Sequence, residues 1–425
     1  MANNNKKYIP ALRFPEFQND GEWKTCKLLD IAKRKVTKNR QGLKLPVYTN
    51  SAIGGVVNQE EYFDREIVTK DNLVNYSIIE HNDFVYNPRV STAAPVGPIS
   101  RNKLDKGIMS PLYLIFGFHK GDINFYEYYF KSTHWHNYLK AKANYGARFD
   151  RINIATDDFM DMPMPYPSLR EQKKIADCLS SLDKEIDATK RKLEQLKEHK
   201  KGLMQRLFPA KGKTSPEIRF PEFIGTKEWT PKQLGFIGET FGGLSGKSAE
   251  DFGTGKPFVT YKQVFNSSEI DFSECALVQV SENEVQNSLQ YGDILVTTSS
   301  ETPDEVGYTA VVTNKNIPEC YLNSFCFIYR LFDDESIDTK FLIYLFSNDA
   351  YRAAVVRIAQ GITRFNISKT KFKEIELVIP ENKNEQIKIA KILSSVDKQI
   401  AEYDKKIKAL ELHKKGLMQQ LFPKL

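Results

Sequence analysis

The stretch EQKKIADCLSSLDKEIDATKRKLEQLKEHKKGLMQRLFP at residues 171–209 is answered 214 residues later by EQIKIAKILSSVDKQIAEYDKKIKALELHKKGLMQQLFP at 385–423. Of the 39 aligned positions 23 are identical, and no gap is needed. In the first copy Ile175, Leu179, Leu182, Ile186, Thr189, Leu193, Leu196, Lys200, Leu203 and Leu207 fall at alternating steps of four and three. In the second, Ile389, Leu393, Val396, Ile400, Tyr403, Ile407, Leu410, Lys414, Leu417 and Leu421 do the same. A seam that returns every 3.5 residues marks a coiled-coil helix rather than a general amphipathic one. Ser168 and Asn382 each stand three residues before a glutamate, Glu171 and Glu385, and read as capping boxes. Pro209 and Pro423 end the helices, because the proline ring removes a donor and clashes with the preceding turn. Each helix is expected to run about 55 Å at 1.5 Å per residue. Gly202 and Gly416 sit inside the last turns, where each costs about 1 kcal/mol relative to Ala. Keeping that cost twice leads us to expect a close approach of the other helix there.

The duplication extends beyond the helices. RFPEF occurs at 13–17 and 219–223, Trp23 pairs with Trp229, and Leu28 with Leu234, all 206 apart. Asp83-Phe-Val-Tyr then meets Asp293-Ile-Leu-Val, and Val96-Gly97 meets Val306-Gly307, 210 apart. Arg151-Ile-Asn-Ile meets Arg364-Phe-Asn-Ile. A tandem repeat with a drifting globular part and a well-kept helical tail is the simplest account. Strands are expected at 83–87, 111–116, 257–261, 293–298, 309–313 and 325–331, and helices at 124–142 and 338–357. Each globular copy therefore reads as an α+β domain. A long helix with one apolar seam needs a partner, and its own repeat is the nearest. Antiparallel pairing would give a pseudo-twofold, near-circular chain: two tandem α+β domains (1–167 and 210–381) separated by a two-helix coiled coil (168–209 and 382–425). The seam residues expected to pair are Leu179, Leu182, Ile186, Leu193 and Leu196 with Leu393, Val396, Ile400, Ile407 and Leu410.

Composition narrows the function. The chain has 425 residues, 41% hydrophobic and 27% charged, which suits a multidomain globular protein. It contains no run of 18 apolar residues, and MANNNKKYIP lacks the apolar core of a signal peptide, so a cytoplasmic protein without a membrane span is expected. Five scattered cysteines with no C-x-x-C argue against a disulfide framework or zinc site, and His134 and His136 have no acidic or cysteine cluster near them. The net charge is +7. Residues 171–208 carry ten Lys/Arg against seven Asp/Glu and 385–421 eight against five, so the helices hold most of the excess and the globular parts average near neutral.

Motifs for catalysis do not assemble. Gly242-Gly-Leu-Ser-Gly246-Lys247-Ser248 lacks the first glycine of a phosphate-binding loop, Phe241 standing in its place, and reads as an exposed loop. Asn87-Pro88-Arg89 resembles only the start of the motif with which amino-methyltransferases hold a flipped base. No Ser/His/Asp set or convergent carboxylate pair is legible. No catalytic, cofactor-binding or metal-ligating residue is therefore assigned. What remains are polar turns near strand ends that could meet base edges and phosphates: Arg89, Ser91, Thr92, Arg148, Arg151, Lys262, Gln263, Thr298, Ser299, Ser300, Thr363 and Arg364.

The duplicated architecture, the EQxxIAxxLSSxDxxI…HKKGLMQxLFP helices and the RFPEF…EW openings resemble the specificity subunit of type I restriction–modification systems. YNPRVST…GIMSPLYLIF in the first copy also looks like that family's first recognition domain. The resemblance implies a non-catalytic subunit in which each globular copy reads one half of a split double-stranded DNA target and the paired helices set the unread spacer. It implies two modification subunits, which bind S-adenosylmethionine and methylate adenine, and two restriction subunits, which use ATP and Mg²⁺. A protein-only adaptor, with a pseudo-symmetric rod clamping two identical partners, is the other reading that near-neutral globular parts permit.

Overall fold

The computed structural model describes residues 8–62, 70–143, 150–333 and 335–423. The chain divides into two compact units, Met1–Lys190 with Lys405–Leu425, and Arg191–Asp404. Both long helices are present, Leu169–Leu207 and Lys383–Gln420, and each is shared between the units.

In the first unit a four-stranded antiparallel sheet has the order Ala32–Lys35, Leu114–Phe118, Phe84–Tyr86, Ile99–Arg101. A second sheet runs Gly55–Asn58, Val47–Ser51, Gly107–Met109, Ser77–Ile79, with Val47–Ser51 and Gly107–Met109 parallel. A short ladder joins Lys24–Lys27 to Pro163–Tyr166. Helices α1 (Ile123–Lys131) and α2 (His136–Lys142) replace the single helix expected over 124–142. The break falls at Ser132, whose hydroxyl turns back to the Tyr129 carbonyl at 2.6 Å and ends α1. The core gathers Trp23, Phe84, Phe116, Phe125, Tyr129 and Phe159 with Ile175 and Leu179 of α3 (Leu169–Leu207).

The second unit repeats this plan. Its antiparallel sheet has the order Gly238–Gly242, Cys326–Leu331, Ile294–Thr297, Thr309–Val311, the same order at equivalent positions. Phe252–Val259 again lies between an antiparallel neighbour, Ala276–Val278, and a parallel one, Tyr321–Leu322. A short helix α4 (Tyr261–Asn266) follows, then α5 (Thr339–Leu345) and α6 (Asp349–Ile358), which replace the helix expected over 338–357. Asn348 makes the break by capping α6, its side chain accepting from the Tyr351 N–H at 2.9 Å. The chain ends in α7 (Lys383–Gln420).

Within each unit the two long helices pack antiparallel. In the first, Lys190 of α3 meets Glu411 of α7 at 2.6 Å while Asp183 meets Lys414 further along. In the second, Lys200 meets Asp397 at 2.6 Å. All twenty seam positions named above are buried or half-buried, and most of the positions between them are exposed. The helix ends are inserted into the cores. Phe422 packs on Phe125 at 5.2 Å in the first unit, and Phe208 on Phe341 at 5.6 Å in the second. Burying one such phenylalanine contributes about 1.5–3 kcal/mol. The repeat reaches the backbone as well: Leu12 N–H donates to Gln420 O at 3.0 Å, and Ile218 N–H to Arg206 O at 2.9 Å.

Two expectations are corrected. A Cβ on Gly202 or Gly416 would meet nothing within 4 Å, so no close approach of the other helix explains either glycine. The capping boxes are half formed. Glu171 N–H reaches Ser168 Oγ at 3.3 Å, but the Glu171 carboxylate accepts from Nε and Nη2 of Arg13 instead, at 2.7 and 2.8 Å. Glu385 does the same with Arg219, at 2.8 Å twice. A bidentate charged partner outcompetes the single weak bond to a helix N-terminus.

Candidate nucleic-acid interface

Both units carry a loop on the far side of the strand that follows the buried aspartate, and both pair that loop with a second segment. In the first unit Asp83 is buried and accepts from the Glu80 N–H at 2.9 Å while Lys35 lies at 2.5 Å. Burial holds its carboxyl above the usual range, although Lys35 and the backbone donor oppose this. In the second, Asp293 is fully buried and clasped by Arg330 at 2.7 and 2.8 Å; burial likewise raises it, against the arginine. These acids anchor the strand whose far end presents the loop.

From that end Asn87-Pro88-Arg89 leads into Ser91 and Thr92. Asn87 is buried, its amide donating to Asn50 O at 2.8 Å while its Oδ1 accepts from the Arg89 N–H at 3.0 Å. The amide that would hold a flipped base is thus engaged inside the fold. Arg89 forms an antiparallel bridge with Arg151, secured by Val90 N–H to Asp150 O and Ile152 N–H to Pro88 O. Gly97 supplies the return turn at φ +80, where a Cβ would run into the Asn87 carbonyl. Arg89, Ser91 and Thr92 are exposed, and Arg148 lies outside the described residues. Beside the bridge a cleft of about 440 Å³ is lined by Arg34, Tyr86, Tyr113, Arg151 and Asn153.

The second unit builds the counterpart from Thr297–Ser300 and Arg364–Ile367. Ser299 and Ser300 pair antiparallel with Asn366 and Phe365, and Ile367 N–H donates to Thr298 O. A cleft of about 410 Å³ holds Tyr261, Phe265, Ser300, Glu305, Phe325 and Arg364. Here several candidate side chains are already occupied. Thr298 Oγ1 donates to Phe325 O at 2.7 Å, Ser300 Oγ to Glu305 at 3.1 Å, and Gln263 closes a capping box on α4 while donating to Asp271 O. Lys262, Thr363 and Arg364 remain exposed. The structure therefore brings Arg89 together with Arg151, and Thr298–Ser300 with Arg364. Lys262 and Gln263 sit on α4, next to Tyr261, whose hydroxyl reaches Ser299 O at 2.6 Å.

One feature escaped the sequence reading. Residues 33–44 carry Lys33, Arg34, Lys35, Lys38, Arg40 and Lys44 without one acid, on the edge strand and the loop after it. Averaging charge over the whole globular part hid this run. The matching strand of the second unit reads Glu239-Thr240-Phe241, with Glu239 paired to Lys373 at 2.9 Å.

The seam lysines are also explained. Lys414 bonds to Asp183, which accepts from the Tyr128 hydroxyl at 2.7 Å, and the ammonium lies 5.3 Å from the Tyr128 ring. Burial would raise the Asp183 carboxyl, but the bonds from Lys414 and Tyr128 outweigh it and hold it below the usual range. In the second unit Lys200, Asp397 and Tyr344 repeat the set with the helix contributions exchanged. The loop 242–248 is less exposed than expected: Leu244 is buried and Lys247 is paired with Glu284 at 2.5 Å, which removes the charge a phosphate would need. Among the described residues no group of three or more His, Cys, Asp or Glu could hold a metal, and no helix is long and apolar enough to cross a membrane.

The type I restriction modification DNA specificity domain matches residues 20–198 and again 226–412. The EcoKI specificity subunit of Escherichia coli is 29% identical over 207 residues, which are 47% of this chain and 42% of that protein. The putative MjaX specificity subunit of Methanocaldococcus jannaschii is 28% identical over 202 residues, 47% of this chain and 46% of that one. The chain thus spans about half the length of these curated relatives. Among solved structures, the type I restriction–modification S subunit from M. genitalium superposes with a TM-score of 0.55 at 17% identity, covering 98% of this chain and 100% of that one. A chain from a structure on complex assembly and conformational transition of the type I system gives 0.55 at 17%, covering 95% and 98%. At such identity the likeness concerns the fold. Because the specificity domain matches both copies across most of the sequence, the chain belongs to the type I restriction–modification DNA specificity family.

Proposed function

We propose that this chain is the sequence-recognition subunit of a type I restriction–modification complex. It has no catalytic role of its own; each unit reads one half of a bipartite double-stranded target, and the paired helices set the unread spacer. The reading is supported above all by one observation: two copies of the specificity domain build the same sheet order and the same paired loops yet differ in the loop residues themselves. A shared scaffold with divergent tips is what two readers of different half-sites require. Residues shared by the copies, such as Arg151 and Arg364, then contact phosphates, and divergent ones contact bases.

Two modification subunits, supplying S-adenosylmethionine and the methyl transfer to adenine, would dock on surfaces common to both repeats. The segment 199–205, identical to 413–419, is one such surface: a Cβ on its glycine would meet nothing within 4 Å in either copy, so the position leaves room for a partner's backbone. Two restriction subunits, with ATP and Mg²⁺, would complete the complex. The chain works in the cytoplasm, where its DNA is. Replacing 215–382 by the corresponding domain of another family member is expected to change one half of the methylated sequence only, as read by genome-wide mapping of methylated adenine. A change in both halves would defeat the modular reading.

The adaptor reading is separated from this one by salt. With the methylating partner present, affinity for duplex DNA should fall steeply as salt rises, with a slope near −0.9 per phosphate contacted. Replacing Lys33 and Arg34 by Ala should flatten that slope by about 1–2 without changing sequence preference. Binding that ignores salt would favour the adaptor.

A further inference from the structure

We propose that Arg89 is a guanine-reading side chain of the first unit, an assignment that rests on the DNA-recognition role above and makes it specific. The equivalent loops align without a gap, NPRVSTAAPVG at 87–97 against TTSSETPDEVG at 297–307. The first presents one arginine and no acid; the second presents Glu301, Asp304 and Glu305 and no cation. Arg89 stands where the other copy has Ser299, so it belongs to the divergent positions that can distinguish two half-sites.

The local structure presents this side chain firmly. Its backbone is held on one side by the bridge to Arg151 and on the other by the Asn87 Oδ1 bond to its own N–H. Asn87 is itself fixed from beneath, because Asn50 donates to Val85 O at 2.9 Å and to Pro98 O at 3.1 Å while its carbonyl takes the Asn87 amide. The loop base is thus pinned by a strand of the second sheet, and little backbone entropy remains to be lost on binding.

The Arg89 guanidinium, by contrast, is not engaged in this way by any of the described residues. Arg13, Arg101, Arg219, Arg330 and Arg352 are all engaged by carboxylates, side-chain amides or carbonyls within their own unit. Arg89 is exposed and its side chain has no hydrogen-bond or ion-pair partner among the described residues. Arginine offers a planar fork of donors, and in the major groove only guanine presents two acceptors, O6 and N7, spaced to match it. Arg151, its bridge partner, and Arg34, which lines the neighbouring cleft together with Arg151, supply cationic groups for the flanking phosphates.

The test uses the full chain with its methyltransferase partner. Methylated sites are mapped for the parent and for Arg89→Ala, and binding is measured on duplexes in which each position of the first half-site is varied. Discrimination for guanine at one position of one half should fall about 5- to 150-fold, with the other half unchanged. Thermal unfolding of Arg89→Ala should match the parent, since the side chain is exposed. Uniform weakening on every sequence would identify a phosphate contact and overturn the assignment, as would an unchanged preference. If the parent itself directs no bipartite methylation, the function on which the assignment rests is lost, and the assignment with it.

Discussion

Glu385→Ala should destabilise the second unit by about 3–5 kcal/mol, a large part of what a domain of this size has. Glu385 is almost fully buried and serves three donors, Nε and Nη2 of Arg219 at 2.8 Å each and the Trp229 indole N–H at 3.2 Å. Removing it strands a mostly buried guanidinium, which keeps only the Thr226 and Lys227 carbonyls, and leaves a buried indole donor without a partner. Stranding a charge costs more than the pair contributed, so Arg219→Met with Glu385→Met should be milder than Glu385→Ala alone. Glu171→Ala should cost less than Glu385→Ala. In the first unit Trp23 Nε1 makes no bond to the carboxylate, so one orphaned donor fewer results, worth about 1–3 kcal/mol. Urea titration gives the energies, and hydrogen exchange on Thr230–Gln233 and Glu376–Ile379 assigns the loss to the second unit. Unfolding of Glu385→Ala within 1 kcal/mol of the parent would show that the pair does not hold the unit together.

That ion pair also shows what one sequence can and cannot say. Arg13, Arg219, Glu171 and Glu385 were all visible as repeated residues, but the partners are 158 and 166 positions apart. The i, i+3 rule offered the glutamates a nearby use, and distance in sequence concealed the stronger one. The long helices were legible because a 3.5-residue seam and a terminal proline are local signals that need no tertiary context. Lys200 and Lys414 were legible as interruptions of that seam, but their partners Tyr344 and Tyr128 come from α5 and α1, which no periodicity links to them. The breaks at Ser132 and Asn348 were in principle readable as caps, yet hydrophobic spacing continued across both and won. At the candidate interface the divergence between copies singled out the loops on which the proposed reading rests. Which side chains were free was not readable, since Thr298, Ser300 and Gln263 are spent on carbonyls, a carboxylate and a helix cap that only folding brings near.

Adding one heptad to each long helix, at facing positions, should lengthen the unread spacer of the target by about three base pairs. Seven residues add about 10 Å of helix, and one base pair of duplex occupies about 3.4 Å. The insertion must be made twice, because the helices pair antiparallel and a single insertion would set Lys200 against the wrong turn of α7, away from Asp397. A full heptad is the right unit, since the seam returns to the same face after seven residues, whereas an insertion of five would rotate Leu193 and Leu196 by about 140° and turn them outward. The helix ends must stay in place as well, with Phe208 and Phe422 still filling their cores, so the new residues belong in the polar middle of each helix. Three base pairs also turn the duplex by roughly 100°, given about 10.5 pairs per turn, so the lengthened protein meets its second half-site on a rotated face. Methylation by the double insertion is therefore expected to be weaker than by the parent, and where it occurs its two half-sites should stand farther apart. Robust methylation at the original spacing would mean that something other than these helices measures the DNA.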